Sequence, residues 1–234
     1  MRFRTVAVTA STNLDMMALA GDGAEEGLWL RAERQTAGRG RLGRDWVSAS
    51  GNLYASTLVR LRAGDPPPAT LAFVAAVALD EVVSAYADPS VLILKWPNDL
   101  LLGGAKLSGI LLERTHEVVV IGIGVNLADH PHDLGRPVTS LATAGYGAPD
   151  PALFLADLAD AFARWLAAWR LGLQAILARW QARAHPRGTA LSVHLPGLGR
   201  HEGLFAGLDA DGALRLRLAG GAEEVIHAGD VFLV

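Results

Sequence analysis

The chain contains no cysteine in 234 residues. That absence removes disulfides, cysteine-held zinc clusters and thiol nucleophiles together, and suits a reducing compartment. Any covalent intermediate must be carried elsewhere. Long apolar runs are lacking too: the longest, Leu71 to Leu79, falls far short of the ~20 residues that a bilayer-crossing helix needs. Met1-Arg2-Phe3-Arg4 leads into a short mixed segment with no apolar h-region and no small-residue cleavage site, so no signal peptide is expected. Positive charge is not in excess, with 21 Lys+Arg against 24 Asp+Glu and a net charge of −3. Nothing in the overall balance therefore calls for DNA or an anionic membrane as a partner. A hydrophobic content of 51% covers a sizeable core and argues against disorder. The expectation is a soluble, cytoplasmic protein with one large domain and a small appendage.

Against this acidic background stands a local basic cluster. Gly38-Arg39-Gly40-Arg41-Leu42-Gly43-Arg44-Asp45-Trp46 places three glycines and three arginines in nine positions. Glycines let a backbone fold tightly and turn N–H groups toward one anion, while guanidinium forks are permanently charged bidentate donors. The pattern points to phosphate chemistry. Gly38-x-Gly40-x-x-Gly43 also matches a dinucleotide fingerprint, but the loop leads from one strand to another and opens no helix for a pyrophosphate. No Gly-Lys-Ser or Gly-Lys-Thr occurs, which excludes a Walker loop.

Periodicity and punctuation place the elements. Thr5 to Thr9, Gly27 to Glu33, Leu53 to Leu61 and Val91 to Leu94 read as strands, as do Leu107 to Arg114 and Val118 to Leu127. Ser11-Thr12-Asn13 reads as a helix N-terminus. After Pro66-Pro67-Pro68, Ala69 to Ala87 is apolar almost all round, as expected of a helix buried against a sheet. Gly122 and Gly124 are costly in a strand unless something approaches the backbone closely, and a ligand would explain them. Pro151 to Ala184 reads as a long helical region with a core stripe of Leu153, Leu158, Phe162, Trp165, Leu166 and Trp169. Composition shifts near Arg187-Gly188, which divides the chain into residues 1–187 and 188–234. In the second part, short alternating segments at 190–195, 202–208, 213–218 and 223–227, punctuated by Pro196-Gly197 and Asp211-Gly212, suggest a small SH3-like barrel.

Several further segments are weak alone. Lys95-Trp96-Pro97-Asn98-Asp99 suits a strand end and turn, and Lys106 before Leu107-Ser108-Gly109-Ile110-Leu111-Leu112-Glu113 suits a lysine snorkelling at a strand mouth, where truncation should cost little. Glu113, His116, His130 and His132 form no metal or triad pattern and are read as background. Order and spacing say more. Ser11-Thr12-Asn13, Gln35 with the Gly/Arg loop, Lys-Trp-Pro-Asn-Asp, Lys-Leu-Ser-Gly-Ile-Leu-Leu-Glu and Gly-Ile-Gly-Val-Asn, in that order over residues 11–126, closely resemble the catalytic domain of the biotin protein ligases. The C-terminal segment matches that family too, so the resemblance covers essentially the whole chain.

The resemblance implies an α+β fold, a mixed β-sheet with flanking helices of the class II synthetase-like kind, plus the C-terminal barrel. It implies ATP and Mg²⁺ as cofactors and biotin as substrate, joined as biotinyl-5′-AMP and passed to a lysine of an apo biotin carboxyl carrier domain. Ser11, Thr12, Asn13 and Gln35 fall where the family holds the biotin ureido ring, and Gly109 lets the backbone come close to the ligand. Arg39, Gly40 and Arg41 fall in the loop that closes over biotin and adenylate, finished by Arg44 and Trp46. Asn98, Asp99 and Asn126 fall on the ATP side, with Asp99 a magnesium ligand, and Lys106 matches the family's lysine beside carboxylate and α-phosphate. Arg39, Arg41 and Lys106 would carry catalysis. The alternatives are a lipoate or octanoyl protein ligase or transferase and, from another class, a biotin-sensing transcriptional regulator. With the Ser-Thr-Asn motif at residue 11, this reading expects the short form without a DNA-reading domain. A homodimer stays open.

Overall fold

The computed structural model describes residues 1–132, 135–195 and 199–233. Among these residues twelve strands and four α-helices follow one another as β1 (Arg2–Thr9), α1 (Thr12–Gly21), β2 (Leu28–Gln35), β3 (Leu53–Arg60), α2 (Leu71–Val83), β4 (Leu92–Lys95), β5 (Asp99–Leu102), β6 (Ala105–Thr115), β7 (Val118–Val125), α3 (Pro151–Leu171), α4 (Gln174–Gln181), β8 (Ala190–Leu195), β9 (Gly199–Leu208), β10 (Leu214–Arg217), β11 (Glu223–Ile226) and β12 (Asp230–Leu233). Seven strands form one mixed sheet in the order β1-β2-β3-β7-β6-β5-β4. Its β1–β2 pair is parallel and the remaining pairs are antiparallel.

Side chains alternate across a strand, and β7 shows what each face is for. Val119, Ile121, Ile123 and Val125 point into a large core with Trp29, Ala55 and Val59, covered by α2 and α3. Val118 and Val120 point the other way, into a smaller core with Leu30 and Leu58 under Met16 and Ala20 of α1. The next positions on that second face are Gly122 and Gly124, where the packing stops and the pocket described below begins. Helix α2 is buried at every position except Glu81, whose carboxylate accepts from Arg164 and Trp165 of α3. Asp80 is fully buried on α2 and is paired with Arg179 at 2.8 Å and Arg183 at 3.0 Å.

The helical region expected over 151–184 is broken in two, because Gly172 at φ 149° ends α3. Leu158, Phe162 and Trp169 are core residues, and Trp165 and Leu166 pack partly against them. Leu153 is a correction, being 68% exposed. It occupies the first turn, where Phe154 and Leu155 instead face the core. The Lys95 to Asp99 segment, expected as a strand end and turn, runs directly into β5, whose first residue is Asp99.

The C-terminal strands pair as an antiparallel sheet in the order β11-β10-β9-β8-β12, and among the described residues its two outer strands do not pair to close a barrel. Pro196 and Gly197, read as a turn signal, lie outside the described residues. Leu191, Val193, Phe205, Leu214 and Val231 of this sheet belong to the same continuous core as α2 and α4, and Trp96 Nε1 donates to Gly212 O across the junction at 3.1 Å. Among the described residues no helix is long and apolar enough to cross a membrane.

Removing the Asp80 carboxylate would leave two partly buried guanidiniums without their shared, fully buried counter-charge. Asp80→Ala is expected to cost roughly 3 kcal/mol of stability, read from urea unfolding. A loss below about 1 kcal/mol would mean that water screens the pair and that it contributes as little as a surface bridge.

Candidate active site

One cavity of about 400 Å³ opens between the glycine-bearing face of β7, the start of α1, the Gly/Arg loop, the β4–β5 turn and the first residues of β12. Its two ends differ in chemistry.

The floor is neutral and hydrogen-bonded. Ser11 stands at the N-cap position of α1, but its hydroxyl makes no cap bond, so the expected capping role is not taken up. Ser11, Thr12 and Asn13 are each 4% exposed and line the cavity. Gln35, the last residue of β2, accepts from Thr12 N at 2.8 Å. Ser56 on β3 contacts Thr12 Oγ1 at 2.8 Å and Asn13 Oδ1 at 2.6 Å. Asn13 Nδ2 donates to Glu113 Oε2 at 2.7 Å.

The strand glycines explain how Asn13 and the loop tryptophan reach these positions. A Cβ on Gly122 would lie 2.3 Å from Asn13 Oδ1, and one on Gly124 would lie 2.5 Å from the Trp46 ring. The close approach read from the sequence is therefore real, but it is made by the protein's own side chains. Trp46 also covers Gly109, at 3.0 Å from a built Cβ.

The mouth is cationic. Lys106 shares a face with Asp99 and Gly109, three residues further on, because the β5–β6 register shifts between Leu100 and Leu101. Its Nζ meets Asp99 Oδ1 at 2.5 Å and stands 5.6 Å from the centre of the Trp46 ring. The Lys106 side chain is only 12% exposed, so the snorkelling reading is wrong: the bulge turns this lysine inward. Burial lowers the Lys106 pKa, and the adjoining Asp99 carboxylate opposes that shift. Lys95, also lining the cavity, is lowered by burial as well.

The Gly/Arg loop folds back on itself through Trp46 N to Gly38 O at 2.9 Å and an isolated antiparallel backbone β-bridge between Arg39 and Asp45. Arg41 donates to Gly229 O at 3.2 Å and lies 3.4 Å from Asn98 Oδ1; Arg44 pairs with Asp230 at 2.8 Å. Burial lowers the Arg41 pKa, with Asp230 and Asp99 opposing. Arg39 is exposed on the rim with no carboxylate paired to it among the described residues. Arg136, Asp230 and Phe232 also line the cavity. The sequence reading missed them because none belongs to a recognisable motif; they arrive from a loop and from the last strand. Glu113 was missed as well, and its signal was its place four residues after Gly109 on the same face of β6.

Of the residues singled out from the sequence, Ser11, Thr12, Asn13, Gln35, Arg39, Gly40, Arg41, Arg44, Trp46, Asn98, Asp99, Lys106 and Gly109 line this cavity. Asn126 does not. It borders a small adjoining cavity behind Trp46, with Nδ2 bonded to Thr139 O at 3.1 Å and Oδ1 buried without a partner. Among the described residues no group of three or more His, Cys, Asp or Glu stands where it could cage a metal.

Residues 7–126 match the Biotin/lipoate A/B protein ligase family, and residues 198–234 match the Biotin protein ligase C terminal domain. The Biotin--[acetyl-CoA-carboxylase] ligase of Paracoccus denitrificans is 41% identical, the match covering 97% of this chain and 98% of that protein. The solved biotin protein ligase of Aquifex aeolicus in complex with biotin and ATP superposes with a TM-score of 0.87 over 100% of this chain and 99% of that one; at 24% identity it shows the shared fold. The biotin protein ligase of Leishmania major in complex with biotinyl-5-AMP is 25% identical, with a TM-score of 0.66 over 97% and 99% of the two chains.

Gly124→Ala is expected to push the Trp46 ring out of its seat, because the added methyl would overlap it. Overpacking of this kind costs about 1–3 kcal/mol. The check is a thermal melt beside acrylamide quenching of tryptophan fluorescence. Unchanged quenching would mean that the ring does not rest on Gly124 in solution.

Proposed function

The chain belongs to the biotin/lipoate A/B protein ligase family, and we propose that it acts on biotin, activating it with ATP as biotinyl-5′-AMP and transferring it to a lysine of a biotin carboxyl carrier domain. The division of one cavity into a neutral hydrogen-bonding floor and a cationic mouth carries this reading. Biotin has the same two ends, an uncharged cyclic urea and a carboxylate. The name of the Paracoccus denitrificans relative supports the same substrate and points to an acetyl-CoA carboxylase as the source of the acceptor.

In the first step a carboxylate oxygen of biotin attacks the α-phosphorus of ATP; the new P–O bond forms as the bond to pyrophosphate breaks. Both partners are anionic, so repulsion must be neutralised and an in-line approach held. Lys106 Nζ is the proposed group at that junction. Arg39 and Arg41 add charge from the loop, and Arg44 braces the loop against Asp230. Thr12, Asn13, Ser11 and Gln35 hold the urea, while Gly109 and Gly40 allow backbone approach. Trp46 roofs the middle and excludes water from the mixed anhydride. Asn98 and Asp99 form the ATP side, and Asn126 supports it from behind Trp46. In the second step the uncharged amine of the acceptor lysine attacks the acyl carbon, AMP leaves with the anhydride electrons, and the amine loses a proton as the amide forms.

Magnesium usually keeps several waters and binds through one or two carboxylates plus substrate phosphates. With no caging cluster among the described residues, Asp99 is the proposed protein ligand, and the ion would further neutralise phosphate charge. Asp99 would then be shared with Lys106, a pairing that suits a site loaded together with ATP. The net charge of −3 supports a reading without DNA as a partner, and the absence of cysteine supports a cytoplasmic setting.

Purified protein should exchange labelled pyrophosphate into ATP when biotin is added and no acceptor is present. Exchange with lipoate or octanoate but not biotin would overturn the substrate. Lys106→Ala is expected to slow biotinyl-AMP formation by about 10²–10³. It should also lower stability, since Asp99 loses its 2.5 Å partner, but only modestly, because Lys95 and Arg41 still face that carboxylate. Near-native turnover in a folded Lys106→Ala protein would remove the lysine from the reaction centre.

A further inference from the structure

The pocket floor contains a relay that begins outside the cavity. Ser56, Gly122 and Glu113 lie on the adjacent strands β3, β7 and β6, on the same sheet face, with Ser56 directly opposite Gly122 and Glu113 opposite Val120. The Asn13 amide rests on Gly122, where no side chain intervenes, and spans from one neighbouring strand to the other. Neither Ser56 nor Glu113 lines the cavity.

The hydrogen-bonding capacities of these groups fix the Glu113–Asn13–Ser56 part of the network. An ionised carboxylate only accepts. Glu113 must therefore face the Asn13 NH₂, at 2.7 Å, which turns Oδ1 toward Ser56, at 2.6 Å. Oδ1 also only accepts, so it takes the single hydroxyl proton of Ser56. With its proton spent on Oδ1, Ser56 can only accept at the 2.8 Å contact with Thr12 Oγ1, and the single Thr12 hydroxyl proton is shared between Ser56 and Gln35 Oε1, 3.1 Å away. Gln35 Oε1 keeps the Thr12 backbone N–H at 2.8 Å. The orientations of the Asn13 amide and the Ser56 hydroxyl are thus set from one end, and that end is Glu113.

We infer that Glu113 is a positioning residue that fixes, through Asn13 and Ser56, the donor and acceptor pattern which Thr12 and Asn13 present to the ligand head group. It thereby selects a cyclic urea over a ring of equal size with a different hydrogen-bonding pattern. The inference rests on the reading of this cavity as a biotin site. A buried network that is fully assigned is rigid, and one that loses its anchor leaves polar groups free to turn. Without the carboxylate, the Asn13 amide can rotate, Ser56 can reverse, and the floor no longer distinguishes a carbonyl oxygen from an N–H at the ligand.

The test compares wild-type protein with Glu113→Leu, Glu113→Gln and Ser56→Ala in ATP–pyrophosphate exchange, using biotin and 2-iminobiotin, in which an imine nitrogen replaces the urea oxygen. A thermal melt accompanies each protein. In Glu113→Leu, KM for biotin should rise about tenfold, as for one lost hydrogen bond. Its kcat should stay within about twofold, and KM for 2-iminobiotin should rise much less, so the preference for biotin collapses. Glu113→Gln retains an acceptor oxygen and should retain most of the preference; Ser56→Ala should lose it. An unchanged preference in folded Glu113→Leu, or equal losses on both ligands, overturns the inference. If Glu113→Leu does not fold, an unchanged preference in Ser56→Ala overturns it instead. Wild-type protein with no biotin-dependent exchange removes the functional reading and this inference together, whereas active wild type with unaltered variants removes the inference alone.

Discussion

On one face of β7 the side chains run Val118, Val120, Gly122, Gly124, and the pocket depends on the change from valine to glycine halfway along. The valines seat α1 against the sheet. Beyond them the glycines leave the backbone bare, so that Asn13 can lie flat at 2.3 Å from a hypothetical Cβ on Gly122 and Trp46 can cover Gly124. Glycine weakens a strand interior, and here the cost is offset by burial of β7 between β3 and β6 and by the apolar contacts of its opposite face. A single strand thus holds a helix at one end and a ligand-sized space at the other.

The second constraint is electrostatic. Lys95, Lys106 and Arg41 are driven toward their uncharged forms by burial and are held partly in check by Asp99 and Asp230. Such a cluster is costly without an anion and favourable with one. The C-terminal sheet takes part directly: Asp230 pairs with Arg44 and stands 3.8 Å from Arg41, while the preceding Gly229 carbonyl accepts from Arg41. Since that sheet also shares the main core, it forms a wall of the site and a support for the loop.

The two ends of the cavity ask different things of the same short segments. Residues 11–13 begin a helix and line the floor, and the Ser11 hydroxyl makes no cap bond. The β4–β5 turn supplies Asn98, which bonds to Ile110 O, and Asp99, which holds Lys106. Local turn chemistry and site chemistry coincide in Lys-Trp-Pro-Asn-Asp, which is why that segment reads as an ordinary turn when taken alone.

By itself, the sequence determined the strand and helix pattern of residues 1–127 apart from β5, the basic loop and the order of its motifs, because period, punctuation and local charge are properties of neighbouring residues. It also exposed the β7 glycines as positions needing close approach. Only the tertiary structure decided what approaches them, Asn13 and Trp46, since those partners come from elements distant along the chain. The inward turn of Lys106 depends on a register shift against β5, which leaves no mark in a spacing pattern. Glu113 looked like background for the same reason: its partner Asn13 is 100 residues away. The exposure of Leu153 and, among the described residues, the unclosed C-terminal sheet depend on which surfaces the other elements cover, and helical or strand periodicity carries no information about that.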